Sequence, residues 1–238
     1  FNALWKNLIF MARCGAPISM LIAHCRSASK ETAVIAKNTN FIQKYRQVAE
    51  DKSFTQDWFT GNIPHWIEAF RLVSLSPETP VKILEIGSFE GRSALFLNHY
   101  FKHLTLHCVD TWAGSDEHAT LALNDSLEKR FRLNLDEFAE RTTMHKMTSS
   151  EFFQRSAEDG FDIVYVDGSH RASDVLLDTV SGFSRLRLGG VLLLDDYLWK
   201  HYNALYQNPC IAINAFCKIF RGQFEYLRIG YQLYLRKV

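Results

Sequence analysis

Acidic side chains follow two apolar runs in the second half of the chain. Asp167 follows Phe161–Val166, and Asp195 and Asp196 follow a run centred on Val191–Leu194. If these runs are neighbouring strands, about 4.8 Å apart, three carboxylates meet at one sheet edge. Like charges this close require a cation or shifted pKa values, and all-oxygen ligands suit Mg²⁺ or Ca²⁺. The sequence therefore predicts a divalent metal site; the alternative is that Asp196 only caps the segment after its strand.

A histidine stands beside this predicted site. His170 lies three residues after Asp167, where a helix is expected to begin. A helix N-terminus disfavours the imidazolium, so the ring would be neutral and suited to act as a general base beside a metal-bound hydroxyl. The alternative is a histidine that caps the helix or supports the metal without transferring a proton.

A second chemical signal is the run LEIGSFEGRSALFL, from Leu84 to Leu97. It has the pattern of a buried strand, a turn with Gly87 and Gly91, and a helix start, which together form a cofactor-binding device in open α/β sheets. The G-x-x-x-G spacing differs from the G-x-G-x-x-G of dinucleotide enzymes, and Glu85 would repel a pyrophosphate. A cationic cofactor fits better, and S-adenosylmethionine carries a sulfonium and an ammonium.

Three polar or aromatic residues follow the next two strands. Asp110 ends the second strand, where a carboxylate can accept both hydroxyls of a ribose; the alternative is an Asx turn or helix cap. Trp112 can stack on adenine or on an aromatic substrate, or pack in the core. Ser149 follows the third strand and can contact the adenine edge or cap the next helix.

Strand and helix patterns alternate along the chain from residue 81. Alternation of this kind predicts an α/β fold with a mostly parallel sheet covered on both faces, and its last two strands form an antiparallel hairpin. The expected strands are Val81–Ile86, Leu104–Val109, Thr142–Met147, Phe161–Val166, a strand centred on Val191–Leu194, Gln223–Ile229 and Tyr231–Lys237. The expected helices between them cover residues 91–100, 119–140, 149–156, 170–186 and 209–220.

The first 57 residues read as a helical extension, ahead of a domain over residues 58–238. Residues 1–76 are mostly helical in pattern, with breaks at residues 15–17 and 61–62. Lys6, Arg13, Arg26 and Lys30 precede the first acid, Glu31. A basic, amphipathic start of this kind can be an organellar targeting segment or a membrane-surface helix. We favour a helical extension that packs on the domain or mediates formation of a homo-oligomer.

Composition limits the class of protein. The chain has 238 residues, a formal net charge of +1 and 47% hydrophobic residues, which indicates a globular protein and gives no support for nucleic-acid or acidic-membrane binding. Five cysteines without paired spacing predict free, mostly buried thiols in a reducing compartment. We therefore expect a cytoplasmic location, with organellar targeting by the N-terminal segment as the alternative.

The assembled motifs resemble those of the class I S-adenosylmethionine-dependent methyltransferases. The runs LEIGSFEGRS, CVDTW, FDIVYVDGSH and LRLGGVLLLDDYLW match the expected elements in order, within about Trp58 to Val238. They are most similar to small-molecule O-methyltransferases of the methyltransferase-24 type, which include macrocin O-methyltransferase-like enzymes. The resemblance implies a seven-stranded, Rossmann-like sheet and a set of cofactor-binding residues: Glu85, Gly87, Ser88, Gly91, Ser93, Asp110, Trp112, Ser149 and Asp167.

The acidic positions also resemble the metal site of catechol O-methyltransferase. There, an acid after the fourth strand and an acid–amide pair after the fifth hold Mg²⁺; here those places are Asp167 and the pair Asp195 and Asp196. The second of the pair is Asp rather than Asn, which adds a negative charge. The catalytic lysine of that enzyme falls at His170, so the resemblance implies His170 and Asp167 as catalytic residues.

The implied reaction is a metal-assisted O-methylation of a small-molecule hydroxyl acceptor. Two alternatives share the fold: a metal-dependent hydroxylase, and a non-catalytic S-adenosylmethionine-binding module. A Rossmann oxidoreductase is a third alternative, against which the glycine spacing and the terminal hairpin argue.

Overall fold

A computed structural model describes residues 2–114 and 126–238. The chain divides into two compact units. We call Val34–Ala157 the central unit, and Phe1–Ala33 together with Glu158–Val238 the terminal unit. Neither boundary tests the predicted division at residues 57 and 58, which stays a prediction.

Seven strands of the described residues form the sheet, and their order is β3-β2-β1-β4-β5-β7-β6. This confirms the predicted mostly parallel sheet with a terminal antiparallel hairpin. The strands are β1 Val81–Ile86, β2 Leu104–Asp110, β3 Thr142–Lys146, β4 Phe161–Val166, β5 Leu186–Leu194, β6 Phe224–Ile229 and β7 Leu233–Lys237. The α-helices of the described residues are α1 Asn2–Arg13, α2 Ile18–Ala49, α3 Ile63–Leu72, α4 Arg92–Tyr100, α5 Leu127–Asn134, α6 Ser149–Arg155, α7 Ala172–Arg185 and α8 Pro209–Ile219.

In the central unit, β3, β2 and β1 are parallel, with Val81 opposite Leu104 and Leu106 opposite Thr142. Strand β1 is buried except at Lys82, because its remaining side chains are apolar apart from Glu85. Parallel strands covered on both faces read as continuous apolar runs, which explains why the sequence located β1 correctly. The predicted helix over residues 119–140 falls partly outside the described residues; α5 and a 3₁₀ turn at Asp136–Phe138 occupy its second half.

In the terminal unit, β4 and β5 are parallel, while β7 pairs antiparallel with both β5 and β6. Helix α7 packs closely on this sheet: a Cβ at Gly182 would lie 2.8 Å from Val164 Cγ1. The helix begins at Ala172, with Arg171 as its N-cap, so the prediction of a helix from residue 170 was wrong by two residues. His170 therefore lies in the loop before the helix.

The N-terminal region follows its predicted break but not its predicted extent. Helix α1 ends at Arg13 and α2 begins at Ile18, as the run Gly-Ala-Pro at residues 15–17 indicated. Residues 50–59 are not helical, contrary to the prediction, because tertiary hydrogen bonds take up backbone groups of this segment: the Thr55 amide donates to Glu90 over 2.6 Å. None of the helices in the described part of the chain combines the length and apolarity needed to cross a bilayer.

The close approach at Gly182 gives a stability prediction. Gly182→Val forces side-chain atoms into Val164, and overpacking of this kind costs about 1–3 kcal/mol of unfolding free energy. Gly61→Val is the matched control, because a Cβ there meets nothing within 4 Å. Denaturant unfolding measures both variants; equal stabilities would contradict the packing of α7 on β4.

Candidate functional site

The turn between β1 and α4 is built on left-handed backbone conformations. Gly87 and Gly91 have φ of 84° and 82°, and Phe89 between them has φ of 47°. Glycine adopts such angles without steric cost, whereas a residue with a side chain is strained there. The Gly87 amide donates to Val109 O over 2.9 Å, which ties the turn to the end of β2.

The carboxylate of Asp110 organises this turn. Its Oδ2 accepts the backbone amides of Ser88 and Phe89 at 2.9 and 2.8 Å, and its Oδ1 accepts the amide of Trp112 at 2.7 Å. The bond to Trp112 is the Asx turn that the sequence left as an alternative to ribose binding. A carboxylate has about four acceptor positions, so one is left beyond these three amides.

Backbone strain is concentrated after the ends of the strands. Among the described residues, four non-glycine residues have positive φ: Ser74, Phe89, Trp112 and Asp196. Phe89 follows β1, Trp112 follows β2 and Asp196 follows β5. Residues held in such conformations cluster at ligand-binding sites, where the surrounding structure compensates the cost of about 1–3 kcal/mol. The glycine turn and the loop after β5 therefore both have the character of ligand sites.

Glu85 lies beneath the turn rather than on its surface. Its side chain is fully buried; Oε1 accepts the hydroxyl of Ser93 at 2.5 Å, and Oε2 accepts the thiol of Cys108 at 3.4 Å. Burial raises the pKa of Glu85, although the hydrogen bonds from Ser93 and Cys108 oppose the shift. A buried acid with a raised pKa supports the turn from below, so its attraction for a cationic ligand depends on proton loss.

The structure adds residues that the sequence did not single out. Glu90 is almost fully buried and accepts both the amide and the hydroxyl of Thr55, at 2.6 and 2.9 Å. Asn134 donates to the Glu90 carbonyl over 2.8 Å and to Ser53 O over 3.2 Å. The segment from residue 53 to 59 is thereby fixed against the glycine turn. The sequence feature that could have indicated a role for Glu90 is its position directly before Gly91 of the turn.

An exposed tryptophan lies over this turn. Trp58 is 58% exposed, and its ring centroid lies 5.3 Å from that of Phe89. Trp112, which the sequence offered as a stacking residue, is instead buried: its indole nitrogen donates to Phe89 O over 2.9 Å and its ring packs on Phe131. Of these two tryptophans, Trp58 is the one open to a ligand.

Ser149 is the first residue of α6 and is half-buried. The helix is capped by Thr148, which forms a capping box with Glu151. The hydroxyl of Ser149 is therefore not needed as the cap, which was the alternative to a role in cofactor binding.

The acids after β4 and β5 lie close together in the terminal unit. The hydroxyl of Tyr165 is 2.7 Å from Asp167 Oδ2 and 2.5 Å from Asp195 Oδ2. One hydroxyl has one proton to donate, so the second contact requires a proton on one of the two carboxyl groups. The side chain of Tyr165 therefore joins two acids that cannot both be ionised in this arrangement.

The pKa shifts agree with that constraint. Burial, followed by the charge of Asp195, raises the pKa of Asp167 well above its usual range. Burial and the neighbouring Asp196 raise the pKa of Asp195 to about 7. A bound cation would reverse these shifts, because it favours the ionised carboxylates.

Asp196 faces His170. The Asp196 Oδ2 atom lies 2.7 Å from His170 Nε2, and its Oδ1 accepts the hydroxyl of Tyr231 at 2.5 Å. An ionised carboxylate only accepts, so Nε2 carries a proton in this arrangement. A base role for His170 would therefore use Nδ1 or require that Asp196 release Nε2. The sequence predicted that the dipole of a helix beginning at His170 keeps the ring neutral. This dipole acts on the ring less directly, because α7 begins two residues after His170.

Asp195 differs from the other two acids in its surroundings. Its oxygens accept the Tyr165 hydroxyl, the Gln232 amide at 2.5 Å and the Asp196 backbone amide at 2.7 Å. Ligand atoms of Asp167, His170 and Asp196 all lie within 4.8 Å of one another. Asp167 and Asp196 thus offer carboxylate oxygens for a divalent cation, with the His170 imidazole next to them and Asp195 held by protein donors.

The aromatic residues after β5 divide between site and core. The ring of Trp199 lies 4.6 Å from that of His170 and stacks on His201 at 4.7 Å. Tyr197 is fully buried, and its hydroxyl donates to Asn214. Trp199 is accordingly the aromatic residue that borders the acid cluster.

Comparisons with known proteins complete the description of the site. A methyltransferase-24 family model, described as a methyltransferase domain, matches residues 84–197, which include the glycine turn, Asp110 and all the acids discussed. Residues 84–197 therefore carry the domain of the class I S-adenosylmethionine-dependent methyltransferases. Among curated proteins, no sequence matches this methyltransferase.

Solved structures share the fold of the methyltransferase. The O-methyltransferase TomG from Streptomyces achromogenes, solved with S-adenosylmethionine, is 16% identical, with a TM-score of 0.52 over 83% of this chain and 90% of TomG. An O-methyltransferase from Bacillus cereus, solved with S-adenosylhomocysteine, is 14% identical, with a TM-score of 0.54 over 92% of this chain and 100% of its own. MycE from the mycinamycin pathway, solved with Mg and S-adenosylhomocysteine, is 16% identical, with a TM-score of 0.56 over 83% of this chain and 53% of MycE.

Burial of Glu85 predicts a specific pH dependence of stability. With its pKa raised in the folded state, Glu85 keeps a proton that the unfolded chain loses above about pH 4.3. Its contribution to stability therefore falls as pH rises from there to the folded-state pKa, by at most about 1.4 kcal/mol per pH unit. Glu85→Gln should remove this part of the pH dependence and gain stability relative to the parent protein as pH rises.

The measurement is the free energy of unfolding against pH for the parent and Glu85→Gln. Glu50→Gln, at an exposed position, is the control and should reproduce the parent curve. A Glu85→Gln curve parallel to that of the parent would show that Glu85 is ionised in the folded protein.

Proposed function

We propose that this methyltransferase methylates a hydroxyl group of a small molecule, with assistance from a divalent cation such as Mg²⁺. The observation that carries the proposal is the arrangement of Asp167, His170 and Asp196, whose ligand atoms lie within 4.8 Å of one another. Carboxylates and imidazole at this spacing can hold a cation and a proton acceptor side by side. A methyltransferase whose acceptor is a better nucleophile than a hydroxyl would not need this arrangement.

The central unit is assigned to the methyl donor. The strained turn at Gly87–Gly91 offers close backbone approach, and the last acceptor position of Asp110 can take a ribose hydroxyl. Trp58 offers an exposed ring above Phe89. S-Adenosylmethionine, once bound, supplies a methyl group on a sulfonium, which is already a good leaving group. The turn therefore has to bind and orient rather than activate the donor.

The terminal unit is assigned to the acceptor. Asp167 and Asp196 would hold the cation, which lowers the pKa of a hydroxyl bound to it. Asp195, tied by Tyr165 and Gln232, keeps the two cation ligands in place and does not need to contact the metal. His170 would take the acceptor proton at Nδ1 while Asp196 fixes its ring through Nε2. Trp199 would border the acceptor.

The proposed role of Asp110 in binding a ribose hydroxyl can be separated from its role in the turn by changing the ligand. Because one acceptor position of Asp110 is left, one of the 2′- and 3′-deoxy analogues of S-adenosylhomocysteine should bind about 10–100-fold more weakly than S-adenosylhomocysteine itself, since it lacks the hydroxyl that donates to this charged acceptor. Asp110→Asn should bind all three with similar, weaker affinity. Isothermal titration calorimetry measures these constants. Equal affinities in the parent protein would assign Asp110 to the turn alone.

Metal removal tests the acceptor side. EDTA should abolish methyl transfer, and Mg²⁺ should restore it, while S-adenosylmethionine binding stays largely unchanged because the glycine turn, Asp110 and Trp58 lie in the central unit. Asp196→Ala should reduce turnover by about 10²-fold or more, and Asp196→Asn, which keeps an oxygen ligand, should retain more activity. Asp51→Ala, at an exposed position, is the control.

The assay screens phenolic, sugar and polyketide hydroxyl acceptors with labelled S-adenosylmethionine. Full turnover in EDTA would contradict the metal role and leave the methyltransferase assignment intact. Metal-dependent hydroxylation of an acceptor, without methyl transfer, would favour the hydroxylase alternative.

A further inference from the structure

The two N-terminal helices are fixed to the terminal unit by one side only. Phe10, Met11 and Cys14 of α1 and its following turn are buried, and Asn214 of α8 donates to Cys14 O over 3.0 Å. In α2, His24 is buried and its Nδ1 lies 2.9 Å from Ile229 O. These inner contacts hold both helices in a defined orientation, so their other sides form a permanent face of this unit.

That outer face is apolar. Trp5, Ile9, Ile18 and Ile22 are 59%, 55%, 75% and 48% exposed. Between the two helices lies a groove of about 600 Å³. Its walls include Leu8, Ala12, Leu21 and Cys25, and Arg26 and Ser29 are its only polar lining residues. Contiguous exposed apolar surface of this kind marks an interaction site. We call it the N-terminal face.

The charged residues of the two helices before Glu31 are all cations. Residues 2–30 contain Lys6, Arg13, Arg26 and Lys30 and no acid, and all four cations are exposed. Two further lysines come from the rest of the unit: Lys200 Nζ lies 4.6 Å from the Phe10 ring, and Lys218 Nζ lies 3.2 Å from where a Cβ of Gly15 would be. The first acid, Glu31, is paired with Arg228 at 2.8 Å. The overall charge of +1 conceals this local excess.

The charge pattern selects the partner. In a symmetric dimer the same patch meets itself, so the cations of one copy would face those of the other without compensating acids. Protein interfaces also carry about one hydrogen bond per 100–200 Å², and this groove has few polar groups to supply them. Binding to a bilayer surface uses the features that this face has. They are apolar side chains that can insert, a tryptophan suited to the membrane interface, and cations that can contact the headgroups.

We propose that the N-terminal face docks the methyltransferase on an anionic phospholipid surface. Trp5, Ile9, Ile18 and Ile22 enter the boundary between headgroups and acyl chains, and the flanking cations contact the phosphates and carboxylates of the lipids. The interaction is peripheral and reversible, because it combines modest apolar insertion with screened charge attraction. Such docking would bring the enzyme to hydroxyl acceptors that are themselves dissolved in, or attached to, a membrane.

Co-sedimentation of the full chain with vesicles tests this proposal. Vesicles of phosphatidylcholine with about one-third phosphatidylserine should bind the protein, and vesicles of phosphatidylcholine alone should bind it about tenfold or more weakly. Raising the salt concentration should release it, because the attraction acts over a Debye length. Binding that ignores both lipid charge and salt would overturn the proposal.

Matched variants separate the face from general surface properties. Ile9→Glu and Lys6→Glu should each lower binding to the anionic vesicles by about tenfold or more, since the first places an acid on the docking face and the second reverses an exposed charge of the same helix. Leu177→Glu makes the same kind of change at a 61% exposed position on α7 and should bind like the parent protein. All three should keep the parent's affinity for S-adenosylmethionine, which shows that they are folded.

Two further results would overturn the proposal. Equal loss in Leu177→Glu and Ile9→Glu would assign any binding to charge alone, without a docking face. Absence of vesicle binding, together with a sedimentation-measured dimer that Ile9→Glu dissociates, would assign the face to a second copy of the chain.

Discussion

The hydrogen bonds to the carboxylate of Asp110 are the interaction on which the glycine turn depends. The carboxylate holds the amides of Ser88 and Phe89 at 2.9 and 2.8 Å, and so keeps Phe89 in a left-handed conformation that this residue would otherwise avoid. A strained turn persists only where the surrounding structure over-determines it. Here the hydrogen bonds that hold the strained backbone come from the neighbouring strand, through Asp110 at the end of β2. The turn's shape is therefore a property of two strands and not of the glycines alone.

A different constraint governs the acid cluster of the terminal unit. Three carboxyl groups, a tyrosine and a histidine share a small volume, and the Tyr165 hydroxyl cannot satisfy two carboxylates with one proton. The repulsion between the carboxylates is relieved when the cluster retains a proton or binds a cation. The raised pKa values of Asp167 and Asp195 agree with a retained proton. Residues from the terminal hairpin enter the same network, since Tyr231 and Gln232 donate to Asp196 and Asp195. The hairpin thus positions the acids as well as closing the sheet.

The N-terminal helices illustrate how local charge differs from net charge. Four exposed cations and four exposed large apolar residues lie on a region that carries no acid before Glu31. In a chain of net charge +1, composition alone indicated no affinity for acidic surfaces. The helices acquire a face only because His24 and Cys14 are tied to the sheet and to α8 on the opposite side. Anchoring on one side turns an amphipathic pattern into an oriented surface.

The sequence by itself determined the strands, the glycine turn and the positions of the acids after β2, β4 and β5. Buried parallel strands must be apolar throughout, and a tight turn needs glycine, so both leave a local pattern. Only the tertiary structure decided what each polar side chain contacts. Glu85 became a buried support, Trp112 a core residue, Trp58 the exposed ring above the turn, and His170 the partner of Asp196 from a loop rather than a helix. These outcomes depend on which residues distant in the chain meet, such as Glu90 with Thr55 or Asp195 with Gln232. A pattern of period two or 3.6 carries no information about such long-range pairs, because it records only which side of an element is buried.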